Sequence, residues 1–314
     1  MNKNIYYLGF VSFFTDLASA MITPILPIYI VYILHDGVDK LGIIVAIATF
    51  VSYFFRILFG YLSDRFQIVK PFLVFGYLVS AITKPLFAYA TSFQAIAALQ
   101  STERLGKAIR GVIAILIVAF FVEESAPKSK TIIYQFQKAD YRLFPLLLSY
   151  LFFTFFILSD SFFIITAKES GYITAYLPLL MIALTLTQTL FSYYFGIMSD
   201  KKSTLFVLRI SYLFGILSIG ALLLNLIAIS FVFLGVFTVA SLNAARSYIS
   251  INAINKASIY GIFYAGIALF SSLGALSIGY IWHYFGQESA LCFSLFGMII
   301  TFVVSLLKID RASE

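Results

Sequence analysis

The sequence predicts an all-helical membrane bundle of about ten spans, arranged as two pseudo-repeated halves with the first half shortened. Composition is the first observation behind this. The chain is 61% hydrophobic and 11% charged, with a mean hydropathy of +0.99, whereas an ordinary soluble domain is about 25% charged. The second is periodicity. Apolar stretches of about 20 residues, enough to cross a bilayer, recur from end to end without period-2 alternation. Backbone groups in lipid must find partners within their own segment, so such stretches are helices. The third is a short charged segment that closes one apolar stretch and later recurs.

The spans fall at about 5–34, 41–62, 71–90, 93–122, 143–167, 172–198, 204–224, 227–249, 258–282 and 289–308. Loop cations orient them. With the N-terminus on the cytoplasmic side, thirteen of the 21 Lys and Arg residues fall in inward segments, while Lys40 and Lys168 alone face outward. This asymmetry places both termini inside the cytoplasmic membrane. The first apolar stretch is too long for a cleavable signal and contains Asp16. A net charge of +7 raises nucleic acid as a partner, but the cations sit in short turns and form no patch. The single cysteine, Cys292, leaves no disulfide framework and no cysteine-based metal site. His35 and His283 stand near span ends, at the interface. There is no metal-ligand spacing, no nucleophile with a base and no glycine-rich phosphate loop, so neither a cofactor nor an enzymatic activity is expected.

The recurring segment is Phe59–Lys70 (F-G-Y-L-S-D-R-F-Q-I-V-K), repeated as Phe195–Ser203 (F-G-I-M-S-D-K-K-S). Glycine, three residues, aspartate and a cation stand at Gly60, Asp64 and Arg65, and again at Gly196, Asp200 and Lys201. One reading is a close helix approach at the glycine, with the acid at a neighbouring helix N-terminus. The other is an ordinary turn that occurred twice. Asp16 in F-F-T-D-L-A-S is matched by Asp160 in I-L-S-D-S-F-F, and each precedes its glycine motif by a similar interval. Residues 1–122 therefore form one half and 143–314 the other, joined by a cytoplasmic segment at 123–142. Internal repeats of this kind mark transporters.

These loop motifs resemble the cytoplasmic loop signature of the major facilitator superfamily. Phe14–Pro27 (F-T-D-L-A-S-A-M-I-T-P-I-L-P), Gly76–Pro85 (G-Y-L-V-S-A-I-T-K-P) and Glu103–Arg110 (E-R-L-G-K-A-I-R) resemble one bacterial branch of it. Gly279–Gly286 (G-Y-I-W-H-Y-F-G) resembles the end of that branch's penultimate span, with His283 in place of the usual acid. Ala20 likewise replaces the branch's glutamate. The resemblance implies twelve spans, with six between the two loop motifs, but only four fit between Gly60 and Gly196. After Arg110 the apolar run Gly111–Val122 follows directly and resembles the end of the family's sixth span. The fourth and sixth spans are thus read as fused and the fifth as removed, which preserves topology.

An ionisable group within a span costs roughly 2.5–3.5 kcal/mol or more and needs a partner or a wet path. Asp16 shares a helical face with Ser19 and Thr23, ahead of Pro24 and Pro27. It is either a proton or cation carrier on a central cavity or the partner of a basic residue on span 4. Glu103, Lys107 and Arg110 share one face of span 4, with Arg104 beside them. The resemblance implies a cavity-lining arginine at Arg104, while the alternative is that these charges satisfy one another. Asp160, flanked by Ser159 and Ser161, is a further cavity candidate. Arg246 is read as snorkelling, and Arg56 and Lys84 as interfacial or pairing residues. The function implied is secondary transport of a small solute, with proton-coupled export and gating by the Gly60 and Gly196 loops. The alternative is a non-transporting, internally deleted remnant or a membrane interaction protein.

Overall fold

The computed structural model describes residues 19, 22–66, 70–121, 138–201 and 203–309. Every regular element among them is helical. Span 1 ends as a short helix, α1 (Ile25–Ile28), that widens into a π-helical turn at Tyr29–Ile33. The irregularity has local causes. Pro24 and Pro27 withhold two backbone donors, and the Thr23 hydroxyl donates back to the Ser19 carbonyl at 2.8 Å. His35, with φ of 54°, turns the chain out of the span.

On the N-terminal side of the segment at 122–137, termed the first half from here on as the C-terminal side is termed the second, follow α2 (Val38–Phe66), α3 (Lys70–Leu86) and α4 (Phe93–Phe121). In the second half, α5 (Lys138–Tyr141) leads into α6 (Phe144–Phe156), α7 (Asp160–Glu169), α8 (Leu177–Lys201), α9 (Thr204–Leu223), α10 (Ile227–Asn252), α11 (Lys256–Phe285) and α12 (Gln287–Ile309). Seven segments among the described residues are long and apolar enough to cross a membrane. The helix α4 is not one of them, although it is a single uninterrupted 29-residue helix. Its four charges, Glu103, Arg104, Lys107 and Arg110, explain why.

Two elements depart from the sequence expectation. The span expected at 143–167 is broken: Ile157 is extended with ψ of 135° and Ser159 with ψ of 159°, so α6 ends and α7 restarts at Asp160. The acidic side chain then sits in the first turn of a helix, where the free N–H groups favour negative charge. Gly274 of α11 lies against the Phe155 carbonyl just before the break. The second departure is that α2 and α8 continue through the glycine–aspartate motifs as helix, as far as Phe66 and Lys201.

Within the first half, α4 packs on α2 and α3. Within the second, α6 packs on α11 and α12, and α10 packs on α8 and α9. The halves meet along α2 and α11, with α1 against α7 beside them. Along this antiparallel seam the backbones nearly touch. A Cβ on Gly42 would stand 2.8 Å from the Ala275 carbonyl oxygen and 3.0 Å from the Gly279 Cα. Gly42 and Ala46 on α2, and Ala275 and Gly279 on α11, are small residues at four-residue spacing, the pattern that lets helices associate in lipid. Ser272 Oγ donates across the seam to the Ala46 carbonyl at 2.9 Å, and the Tyr53 and Tyr264 rings stack at 6.0 Å further along. Lipid is as apolar as the side chains, so contact and hydrogen bonds, not exclusion of water, hold this seam.

Part of the segment expected as an inter-half loop is also buried. Asp140 is fully enclosed and accepts hydrogen bonds from Ile254 N at 2.9 Å, Asn255 N at 3.3 Å and Asn255 Nδ2 at 3.2 Å. It thereby occupies the turn that leads into the N-terminus of α11.

Gly42→Ala is expected to destabilise the protein by about 1–3 kcal/mol, because the atoms it meets are backbone and cannot move aside cheaply. Gly220→Ala, where nothing lies within 4 Å, is expected to be neutral or stabilising by up to about 1 kcal/mol. Thermal unfolding in one detergent compares the two. Equal midpoints would show that the seam tolerates separation.

Candidate functional site

A cavity of about 310 Å3 lies at the junction of the halves. Each bordering element contributes polar side chains. Thr23 comes from span 1, Ser52, Tyr53 and Arg56 from α2, and Gln100 and Arg104 from α4. The break between α6 and α7 supplies Ser159, Asp160 and Ser161, and α11 supplies Ser271. A second cavity of about 270 Å3 adjoins it on the side of the second half and shares Tyr53, Ser159, Asp160 and Ser271. The discontinuity therefore stands between two lobes. Irregular backbone at membrane depth is tolerated where it borders a cavity, because its polar groups need partners other than lipid.

The structure sorts the charges of α4 into two sets. Arg104 lines the cavity. Glu103, 8% exposed, accepts a hydrogen bond from Ser19 Oγ at 2.9 Å and is paired with Lys107 Nζ at 3.1 Å. The Ser19 bond ties α4 to span 1, and neither Glu103 nor Lys107 is among the described residues that line the cavity. Arg110 lies in α4, and its side chain is outside the described residues. Asp16 lies outside them altogether.

The glycine motifs fall at the ends of α2 and α8, and the side chains of Asp64, Arg65, Asp200 and Lys201 are outside the described residues. A Cβ on Gly196 would meet nothing within 4 Å, so no close approach occurs there among the described residues. Close approaches to a facing backbone lie instead at Gly42 and Gly279, and also at Gly106 and Gly235.

Arg56 and Arg246 differ from their expected places. Arg56 lines the cavity, with its guanidinium 5.4 Å from the Tyr53 ring centroid. Tyr53 stacks on Tyr264, and Arg246 in turn lies 5.8 Å from the Tyr264 ring while its Nε–H donates to the Tyr264 hydroxyl at 2.9 Å. Two arginines and two tyrosines thus form a ladder from α2 across to α11 and α10, which holds Arg246 by packing and not by snorkelling. The missed signal was present in the sequence. Thr49, Ser52, Tyr53 and Arg56 stand at i, i+3, i+4 and i+7, a polar stripe on an otherwise apolar helix.

At the far end of the seam His283 Nδ1 lies 3.4 Å from Asp39 Oδ1, an ion pair whenever the imidazole is protonated. The residue that departs from the family acid thus meets an acid on the opposite half. Among the described residues no cluster of three metal-ligating side chains occurs.

A helical bundle with a discontinuous helix on a central polar cavity is an arrangement found among membrane transporters. Residues 8–128 match the family model described as Major Facilitator Superfamily. An uncharacterized MFS-type transporter of Methanocaldococcus jannaschii is 37% identical over 129 residues, which cover 41% of this chain and 31% of that protein. The match thus spans about a third of the relative's length. A crystal structure of the nucleoside transporter NupG superposes with a TM-score of 0.71 over 98% of each chain at 13% identity, which is a likeness of fold. Residues 8–128 are thus similar to the major facilitator superfamily, and the chain as a whole is similar in fold to a transporter of known structure.

Glu103 is buried and bonded to the Ser19 hydroxyl and to Lys107. Glu103→Ala removes this acceptor and is expected to cost about 1–3 kcal/mol, and Glu103→Gln, which keeps an acceptor for Ser19, to cost less. Chemical denaturation of purified protein measures both. A Glu103→Gln variant as unstable as Glu103→Ala would show that the hydrogen bond to Ser19 is not what Glu103 supplies.

Proposed function

We propose that the chain is a secondary transporter that moves a small polar solute across the cytoplasmic membrane by alternating access of the central cavity. The observation that carries this reading is the polar cavity at the junction of the halves, bordered by Arg56, Arg104 and the broken helix at Asp160. Buried charge in lipid is costly, and a charged, hydroxyl-lined hollow at that depth fits a path for solute. Asp16, Glu103, Arg104, Lys107, Arg110 and Asp160 are the pathway candidates, with the Glu103–Lys107 pair supporting α4 and Arg104 and Asp160 meeting the solute. Proton-coupled export is the mode proposed, with Asp16 and Asp160 as proton carriers. The Gly60–Asp64–Arg65 and Gly196–Asp200–Lys201 segments act as cytoplasmic gates.

The distribution of cations supports cytoplasmic termini, which places the Gly42–Gly279 contact and the Asp39–His283 pair at the outer end of the seam. The closest approach of the two halves then acts as the outer seal. The structural neighbour NupG is a nucleoside transporter; a shared fold alone does not transfer that cargo here.

Alternating access predicts that one cavity position is reached from both sides of the membrane at different times. In a Cys292→Ser background, Ser271→Cys should react with a membrane-impermeant maleimide applied from either side. Joining Asp39→Cys to His283→Cys with a bismaleimide should abolish the outer reaction and spare the inner one. Reaction from a single side, unaffected by the cross-link, would favour the non-transporting alternative.

A further inference from the structure

We propose that the central cavity binds a small, hydroxyl-bearing monoanion, with Arg56 as the residue that receives its charge. This rests on reading the cavity as the solute site and names the class of solute it takes. Charge balance is the first support. Among the described residues, Arg56 and Arg104 line the cavity against one acid, Asp160, a formal excess of one positive charge within that set. Arg104 lies within electrostatic reach of Asp160, whereas neither arginine has an ion-pair partner among the described residues. A monoanion neutralises this lining; a cation would double the excess and a dianion would reverse it.

Unsatisfied polar groups are the second support. Arg56 Nε, Gln100 Oε1 and Ser159 Oγ are buried without hydrogen-bond partners among the described residues, and all three side chains border this one cavity. A buried donor or acceptor left unmade costs about 1–3 kcal/mol, so three around a single hollow outline a missing polar complement. They supply an N–H donor, a carbonyl acceptor and a hydroxyl of either sense. An oxyanion suits the first, and hydroxyl groups suit the other two.

The placing of Arg56 is the third support. Its guanidinium stands over the Tyr53 ring, 5.4 Å from the centroid, and the N–H edge of a guanidinium is its bonding group. That edge is the fork that meets a planar carboxylate. Tyr53 is itself fixed by Tyr264 from the other half, so the cation is oriented by both halves at once. At about 310 Å3 the cavity stands at the small end of ligand pockets, which run roughly 300–1,000 Å3.

The test uses purified protein in nanodiscs and three probes of one carbon skeleton at equal concentration: gluconate, glucose and glucosamine. Gluconate should raise the thermal midpoint, glucose should raise it less, and glucosamine should leave it unmoved. Arg56→Gln should weaken gluconate at least about tenfold, and Arg56→Lys should restore part of the loss as a point charge without the fork. Should Arg56→Gln lower the ligand-free midpoint, Ser159→Ala, the loss of one oxygen, is expected to weaken gluconate several-fold on an intact fold. No shift with gluconate in the unaltered protein, an equal shift with glucosamine, or undiminished gluconate binding in both variants overturns the proposal. Binding is read here without transport. Gluconate binding in a protein that reacts from one side only would keep the ligand class and remove the transport reading; two-sided reaction without gluconate binding would do the reverse.

Discussion

The rest of the structure depends on the contact of two backbones at Gly42 and Gly279. A lipid solvent gives no hydrophobic reward for bringing apolar helices together, so the halves are held by what close approach provides. That approach is the reason the Ser272 hydroxyl reaches the Ala46 carbonyl at 2.9 Å and the Tyr53 and Tyr264 rings stack further along the same seam. With a larger residue at position 42 or 279, α2 and α11 would separate. The tyrosines would part, and the support under Arg56 would go with them. The seam is both the joint between the halves and one wall of the cavity.

The second constraint is the interruption at Ile157–Ser159. A continuous helix would have satisfied its backbone internally and presented a smooth apolar side to the opposite half. The break places a helix N-terminus and an aspartate beside the cavity at membrane depth, and Gly274 of α11 accommodates the chain where it bends. Span 1 reaches a comparable irregularity by other means, through two prolines and a π-helical turn. Both halves thus bring a distorted helix to the same hollow, and these two distorted elements, α1 and α7, also pack on each other.

Much of this was legible in the sequence, and the physical reasons differ from case to case. The helical class and the spans follow from hydropathy over about 20 residues, because a bilayer imposes one length and one secondary structure. Asp160 was legible as a cavity candidate because a charge in a span requires a partner or water, and Arg104 because the family resemblance implies an arginine on the cavity there. Arg56 and Arg246 were not. A lone arginine toward the end of an apolar run reads as an interfacial anchor, and only the stacking of Tyr53 on Tyr264 reveals the shared ladder. The break in the span at 143–167 was also hidden, since I-L-S-D contains neither proline nor glycine and the hydropathy of the segment runs straight through it.

The sequence by itself determined that this chain is a helical membrane bundle, because hydropathy is a property of each segment taken alone. It also determined that Glu103 and Lys107 could pair, since i and i+4 on one helix are neighbours in any fold. Which charges line the cavity and which face each other was decided by the tertiary structure. Glu103 turns to Ser19, 84 residues away in sequence, while Arg104, one position on, turns to the cavity. Neighbouring residues on a helix point about 100° apart, so their roles are set by which helix stands opposite. That opposition exists only once α2, α4 and α11 have packed together.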